Sequence, residues 1–492
     1  SGQSYTYNGI SAYRDDLPSN DIYEINAGST VRGTQGGSAS RHTLASFFGR
    51  VNYDYRGKYL LESNFRYDGS SRFPSGNKFG FFPSFSAAWR ISEEGFFPRS
   101  GAITNLKLRG SWGQLGNQAI GNYPYQDLIA LGQNYPFAGE MAPGAAVTTI
   151  ANKEIRWETT TITNVGFDIG LFDNKLEFIA DYFIKRTDDI LYNVSVSRML
   201  GASPSATNAG EVENKGMDFN LAYRNSSGDF SYGISGVFSI VHNKVLKLYG
   251  DLTQDINSGL FVGHPIGSSY GYKSDGLIKD ATELAGLPTQ PFGLLATPGG
   301  IKYLDLSGPD GEADGVVNSG YDRTVIGQPL PITTYGITLN GGYKNFSVSM
   351  LFQGEGGRVA MNNIEHFFPL DNNGNVQREA YEERWTEANP DVNAMYPRMV
   401  ITTTDFYRQN PVDFWFRDAT FIRLKNLQVS YDLPESFLNN LSIGKARLYV
   451  TGENLFTLTN YYSGFDPEMA VGGSRRFYPL SKLYTAGIEI NF

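Results

Sequence analysis

The sequence predicts an all-β chain built as a transmembrane antiparallel β-barrel, on three observations. Segments of about ten residues alternate apolar and polar side chains, as barrel strands do. The connections between them alternate between short and long. Aromatics make up 14% of the 492 residues, yet no window approaches the ~18 consecutive apolar residues of a membrane helix. A chain of this kind meets a bilayer with strands, because in hydrocarbon only helices and closed barrels satisfy every backbone polar group.

Composition sets the outer limits. The formal charge of −9 and the lack of any Lys/Arg block denser than Arg475-Arg476 argue against a nucleic-acid partner. With 0 cysteines there is no disulfide, no thiolate nucleophile and no Cys-ligated metal. No composition shift or polar linker divides the chain, so one large β body accounts for it. The chain opens at Ser1 without a methionine or a leader and reads as a processed or partial product.

Taken in order, residues 1–43 are polar and Gly/Ser-rich and are expected to be an extracellular loop segment. Residues 44–492 carry the barrel strands. Phe47, Gly49, Val51, Tyr53 and Tyr55 share a face, Arg56-Gly57-Lys58 turns the chain, and Tyr59, Leu61, Phe65 and Tyr67 return opposite Glu62, Asn64, Arg66 and Asp68. The same two-faced pattern continues through Phe81 to Ile91, then Leu106 to Trp112, Val165 to Leu171 and Leu176 to Ile184. It resumes at Met217 to Tyr223, Tyr232 to Ile240, Tyr335 to Tyr343, Phe346 to Phe352, Phe421 to Tyr431 and Ala446 to Gly452. Ile422 and Leu424 fall out of phase with Leu427, Val429 and Tyr431, which predicts a β-bulge near Lys425-Asn426.

The long connections lie at 114–159, 188–210, 243–331, 354–414 and 457–480, and short or medium turns lie between them. Short turns on one rim and long loops on the other are the layout of an outer-membrane barrel. A soluble sandwich or propeller is the competing fold, but it would not segregate its loops so consistently. The last strand ends the pattern. Tyr484, Ala486, Ile488, Ile490 and Phe492 are expected to face lipid, with Glu489 and Asn491 toward the lumen. About thirteen membrane strands are counted, whereas single-chain bacterial barrels close with even numbers. The odd count predicts that an N-terminal part precedes this chain, with the free edge of the last strand pairing to a strand outside it.

Candidate sites are few. Asp310, Glu312 and Asp314 alternate before Gly315, as at the opening of a Ca²⁺ loop, with Asp322 one place beyond the usual closing acid and Asp305 a further candidate ligand. A Gly-rich acidic loop that merely turns is the alternative. Four scattered histidines (His42, His242, His264 and His366), no nucleophile elbow and no P-loop leave no catalytic site, so the chain is not expected to be an enzyme. Aromatics of the long loops, Trp385, Tyr396, Tyr461 and Tyr462, are candidates for stacking on a sugar, against the alternative that Trp385 packs a loop helix.

Specific motifs carry a family resemblance spread in order along nearly the whole chain. They are Arg66-Tyr-Asp-Gly-Ser-Ser-Arg-Phe73, Phe82-Pro-Ser-Phe-Ser-Ala-Ala-Trp-Arg-Ile91, Gly116-Asn117 with Tyr123-Pro124, and Ile155-Arg-Trp-Glu158. Further along stand Ile326-Gly-Gln-Pro-Leu-Pro331, Arg384-Trp-Thr386 with Tyr396-Pro-Arg398, Phe421-Ile-Arg-Leu-Lys-Asn426, Gly452-Glu-Asn-Leu-Phe456 and Asp466-Pro-Glu468. Together they resemble the barrel of SusC/RagA-type TonB-dependent outer-membrane transporters. The resemblance implies the 22-stranded, plugged size class, with this chain as the C-terminal portion of the barrel and the plug and TonB box on a missing N-terminal region. It further implies a SusD-like surface lipoprotein as a lid, energy from the TonB–ExbB–ExbD complex, assembly as a dimer of transporter–lid pairs, and a glycan or oligopeptide substrate. The terminal aromatic of the last strand resembles the signal by which such barrels are recognised for insertion. No cofactor is implied. A passive porin and a non-transporting receptor or adhesin barrel are the alternative functions.

Overall fold

The computed structural model describes all residues except 99–100, 138, 195–198, 200, 363–367, 369, 371–374, 402–405, 439–442, 469–477 and 492. Fourteen strands pair in chain order into one antiparallel sheet. We number them β1 (Gly2–Tyr13), β2 (Thr34–Tyr55), β3 (Tyr59–Ser70), β4 (Phe79–Arg90), β5 (Ile103–Asn117), β6 (Glu158–Leu171) and β7 (Leu176–Asp188). The rest are β8 (Glu211–Ser227), β9 (Phe230–Lys247), β10 (Thr333–Tyr343), β11 (Phe346–Gly356), β12 (Phe421–Asp432), β13 (Lys445–Thr459) and β14 (Leu483–Asn491). Among the described residues β1 pairs with β2 alone and β14 with β13 alone, so the sheet is open at those two edges.

The turns set the register. Between β2 and β3, Arg56 (φ 55°) and Gly57 (φ 64°) take left-handed conformations, and the Gly57 N–H donates to Asp54 Oδ1 at 2.6 Å. Both positive φ angles match the twist of a tight hairpin, which is why glycine serves there. Every second connection is short or of medium length: 56–58, 91–102, 172–175, 228–229, 344–345 and 433–444. The others are 14–33, 71–78, 118–157, 189–210, 248–332, 357–420 and 460–482, so all the long connections stand on one rim.

Two expectations about the chain's start are corrected. Residues 1–43 are not all loop: β1 pairs in unbroken register with the first part of β2, from Gly2 opposite Ala45 to Tyr13 opposite Thr34, and only 14–33 connect them. This adds a strand, giving fourteen in the sheet rather than about thirteen. Ser- and Gly-rich sequence reads as turn on local preference, but strand propensity is dominated by the partner strand, and a hairpin ladder overrides it. The expected bulge is present. Leu351 pairs with Asn426 and Phe352 with Leu424, which leaves Lys425 out of the ladder, and Asn454-Leu455 of β13 stand opposite it.

The two faces differ as the alternation requires. Val51, Phe65, Phe85, Val165, Leu221 and Val450 lie exposed on the apolar face. There Phe167, Phe178, Phe219, Phe238 and Tyr335 form a row across five strands with ring centroids 5.8 to 6.4 Å apart. Near the short-turn rim, Tyr59 stacks on Trp89 at 6.3 Å, and the Glu94 carboxylate accepts hydrogen bonds from both rings and from Lys58. Such rings sit at the headgroup level of a membrane barrel. On β14, Tyr484, Ile488 and Ile490 are exposed on the apolar side, and Glu489 pairs with Arg447 on the other; Phe492 lies outside the described residues.

Candidate functional site

The polar face of the sheet and the cap above it are the two places where chemistry gathers. On the polar face several charges neutralise one another in place, although Asp218, opposite Asp181, is bonded to the Ser239 hydroxyl and to no cation among the described residues. Arg66 pairs with Asp68 at 3.0 Å, and Arg50 Nε donates to Asn64 Oδ1 at 2.6 Å. Across β5, β6 and β7, Lys107 Nζ lies 2.5 Å from Asp168, while Arg109 reaches Asp168 at 3.0 Å and Asp181 at 2.5 Å. Gly166 makes this crossing available, since a Cβ there would lie 2.4 Å from Asp181 Oδ1 and 3.1 Å from Arg109 Cζ. Arg447 clasps Asp432 with two bonds of 2.7 and 3.1 Å near the short-turn rim. The result is a wall of paired charges, hydroxyls and amides, which water and hydrogen-bonding solutes can wet.

At the long-loop rim the quoted motifs meet. Phe73, Phe82, Ile155 and Trp157 form one buried knot, and the Trp157 indole N–H donates to the Lys78 carbonyl at 2.9 Å. Gly116 closes against it, because a Cβ there would lie 2.1 Å from the Phe82 ring. Arg156 holds Asp189 with bonds of 2.9 and 2.7 Å, which joins the 118–157 and 189–210 connections. Farther along, Arg423 on β12 is 1% exposed and reaches the 460–482 connection. It donates to both Asp466 oxygens at 2.8 and 2.9 Å, to Glu468, and to Thr457 Oγ1 at 2.9 Å. Arg358 adds a bond to the Pro467 carbonyl. Two motifs separated in sequence, Phe421 to Asn426 and Asp466 to Glu468, are therefore one latch. Opposite charges in both were the available signal, but nothing in the sequence paired them.

The connections 248–332, 357–420 and 460–482 fold together over a shared hydrophobic core that includes Tyr272, Leu277, Tyr303, Trp415 and Val412. All four aromatics expected to stack on a sugar lie inside it: Trp385, Tyr396, Tyr461 and Tyr462 are 3, 1, 6 and 2% exposed. The Trp385 amide donates to the Tyr396 carbonyl at 2.9 Å, and a Cβ on Gly299 would lie 2.2 Å from the Trp385 ring. Burial pushes the Tyr396 hydroxyl up to about 12 and raises those of Tyr461 and Tyr462 as well. These rings offer no face to a solute; they hold the cap together. The polar character of the surrounding loop sequence hid this, because the core is assembled from segments far apart in the chain.

The carboxylates expected to bind calcium do not converge. Asp310, Glu312 and Asp314 are exposed, and among the described residues no three His, Cys, Asp or Glu side chains form a metal-binding group. Asp322 is fully buried and accepts the N–H groups of Leu306 (2.7 Å), Ser307 (3.0 Å) and Asn318 (2.8 Å). It braces the loop from within, the role of a turn acid. Sequence reasoning also passed over Tyr5, Tyr7 and Tyr13, which share one face of β1; their period of two was the signal, set aside because the segment read as loop.

Comparison with known proteins places this architecture. A family model described as TonB dependent receptor-like, beta-barrel matches residues 1–455. TonB-dependent receptor P3 of Formosa agariphila is 34% identical over 474 residues, covering 91% of this chain and 45% of that protein. TonB-dependent receptor SusC of Bacteroides thetaiotaomicron is 28% identical over 472 residues, covering 92% of this chain and 44% of its own length. Among solved structures, that of the RagAB peptide transporter superposes with a TM-score of 0.80 at 27% identity, covering 100% of this chain and 52% of the other. The chain thus spans about half the length of the curated relatives it matches.

Proposed function

The chain belongs to the TonB-dependent receptor-like β-barrel family of the outer membrane, and from that premise we propose that it serves active, TonB-dependent import of an oligomeric nutrient, a glycan or an oligopeptide. The observation that carries the reading is the pairing of a two-faced sheet with a folded cap. The apolar face suits lipid, the polar face suits a hydrated path, and the cap on the long-loop rim gives a shaped extracellular surface rather than a set of loose loops. Likeness to SusC and to the RagAB structure supports a SusD-like surface lipoprotein as the lid, a TonB–ExbB–ExbD energy source and assembly as two transporter–lid pairs. The self-paired charges across β5, β6 and β7 fit this role, because a paired charge holds an oppositely charged solute less strongly than a bare one and lets it pass. The test is uptake of labelled oligosaccharides and oligopeptides by cells carrying the full-length protein. Uptake should cease when TonB is deleted or the proton gradient is collapsed; uptake that continues unchanged in either condition refutes active import.

A further inference from the structure

Resting on the importer reading, we propose that the β1–β2 ribbon is a stacking platform for neutral oligosaccharides, with Tyr5 and Tyr7 as its rings. β3 ends at Ser70 opposite Leu44, so the part of β2 before Leu44 and its β1 partner stand beyond β3 as a two-stranded ribbon. That ribbon extends roughly 30 Å on the long-loop side at the usual strand rise. The register puts odd residues of β1 and even residues of β2 on one face, continuous with the polar face below. All three tyrosines of β1 are on it, 49, 66 and 57% exposed for Tyr5, Tyr7 and Tyr13, and it carries no Asp, Glu, Lys or Arg from Thr34 to His42 or along β1.

The rings are laid out rather than upright. Tyr5 stacks on His42 with centroids 4.7 Å apart and planes 15° from parallel, and its hydroxyl donates to Gln3 Oε1 at 2.9 Å. Tyr7 leans the other way. Its Cε1 and hydroxyl lie 3.2 Å from where a Cβ on Gly9 would sit, so the ring lies along the ribbon over that glycine, beside Ser38 Oγ. A flat ring with its face open to water and hydroxyl and amide groups at its edge matches a pyranose, which offers an apolar C–H face and a rim of hydroxyls. Tyr5 and Tyr7 are two residues apart, about 7 Å along the strand, the scale of adjacent sugar rings. A charged ligand finds no counter-charge on the ribbon's own residues of this face, the nearest being Arg72 of the 71–78 connection beside His42.

The test uses the full-length transporter purified in detergent and titrated calorimetrically with neutral glucose hexasaccharides of α-1,4, β-1,4 and β-1,3 linkage and with an uncharged hexapeptide. At least one hexasaccharide binds; Tyr5→Ala and Tyr7→Ala each lower its affinity about tenfold, as loss of one ring contact does. Tyr7→Phe retains it, Gly9→Val lowers it by lifting the Tyr7 ring, and Asn8→Ala on the opposite face leaves it unchanged. Hexapeptide affinity does not move in any variant. The platform is overturned if no hexasaccharide binds, if Tyr5→Ala and Tyr7→Ala proteins of native heat-modifiable mobility bind saccharide like the parent, or if only peptide affinity falls. Because TonB dependence of uptake is read separately, unchanged saccharide affinity with TonB-dependent uptake intact removes the platform alone, and TonB-independent uptake removes the importer reading alone.

Discussion

Replacing Arg423 with methionine should release the 460–482 connection without unfolding the sheet. The arginine is 1% exposed, its guanidinium holds Asp466 through two bonds and Glu468 through a third, and it lies 5.0 Å from the Phe421 ring centroid. Methionine keeps most of the packing volume but leaves Asp466, itself 9% exposed on its side chain, as a buried charge with its main counter-ion gone. Removing one partner of a buried pair costs about 3–5 kcal/mol. Glu468 is 33% exposed and recovers water, so the lower end, about 3 kcal/mol, applies. This cost falls on local opening, because the backbone ladder between β12 and β13 does not depend on the side chain. The Glu468 amide, bonded to Asp466 Oδ1 at 2.9 Å, reports that opening. Its hydrogen exchange should accelerate about a hundredfold while exchange in β12 and β13 is unchanged. Arg423→Lys should fall between, since an ammonium cannot make the forked contact. Acceleration of less than about threefold in Arg423→Met would refute the latch, and adding Asp466→Asn should then restore nothing; if the latch is real, the double variant loses less than the sum of its parts.

Three further outcomes follow from other parts of the molecule. Trp157→Ala should destabilise the rim knot by about 3–5 kcal/mol through the cavity left against Phe73 and Phe82, read as faster exchange in the 71–78 connection; exchange like that of the parent would contradict the packing. The donors Tyr59, Lys58 and Trp89 lower the Glu94 pKa to about 2. A depressed carboxylate stabilises the fold above its ordinary pKa, and that contribution is lost as pH falls from about 4.5 through about 2. Trp89 emission should therefore hold steady from pH 8 to about pH 4 and change below about pH 3, and a Glu94→Gln protein that still titrates in that window would count against the assignment. Val165→Arg, on the exposed apolar face, should impair bilayer insertion by about 2–4 kcal/mol if it lies at mid-depth, whereas Asn164→Arg, one residue away on the polar face, should insert normally. Equal insertion of the two in a vesicle-folding assay would mean the faces are assigned the wrong way round.

Much of the fold was legible because a strand writes its environment locally. A period of two in Phe47 to Tyr55 or Val165 to Leu171 states which side chains share a face, and the phase break at Ile422 and Leu424 placed the bulge near Lys425-Asn426, where the ladder skips Lys425. The segregation of long and short connections likewise needed no structure. What failed were inferences about segments whose local sequence lacks a clear alternation. β1 was missed because its Gly2, Gly9 and Asn8 are weak strand formers that a partner strand nonetheless holds in register.

The sequence by itself thus determined the two-faced sheet, the rim that bears the long loops and the family those motifs belong to. Only the tertiary structure decided what the loop residues do. It put Trp385, Tyr396, Tyr461 and Tyr462 into a buried core, turned Asp322 inward onto three backbone amides, and paired Arg423 with Asp466 and Glu468. The reason is physical: face alternation depends on neighbours one and two residues away, whereas burial in the cap depends on three connections meeting in space. No local pattern distinguishes an aromatic that greets a solute from one that packs against another loop.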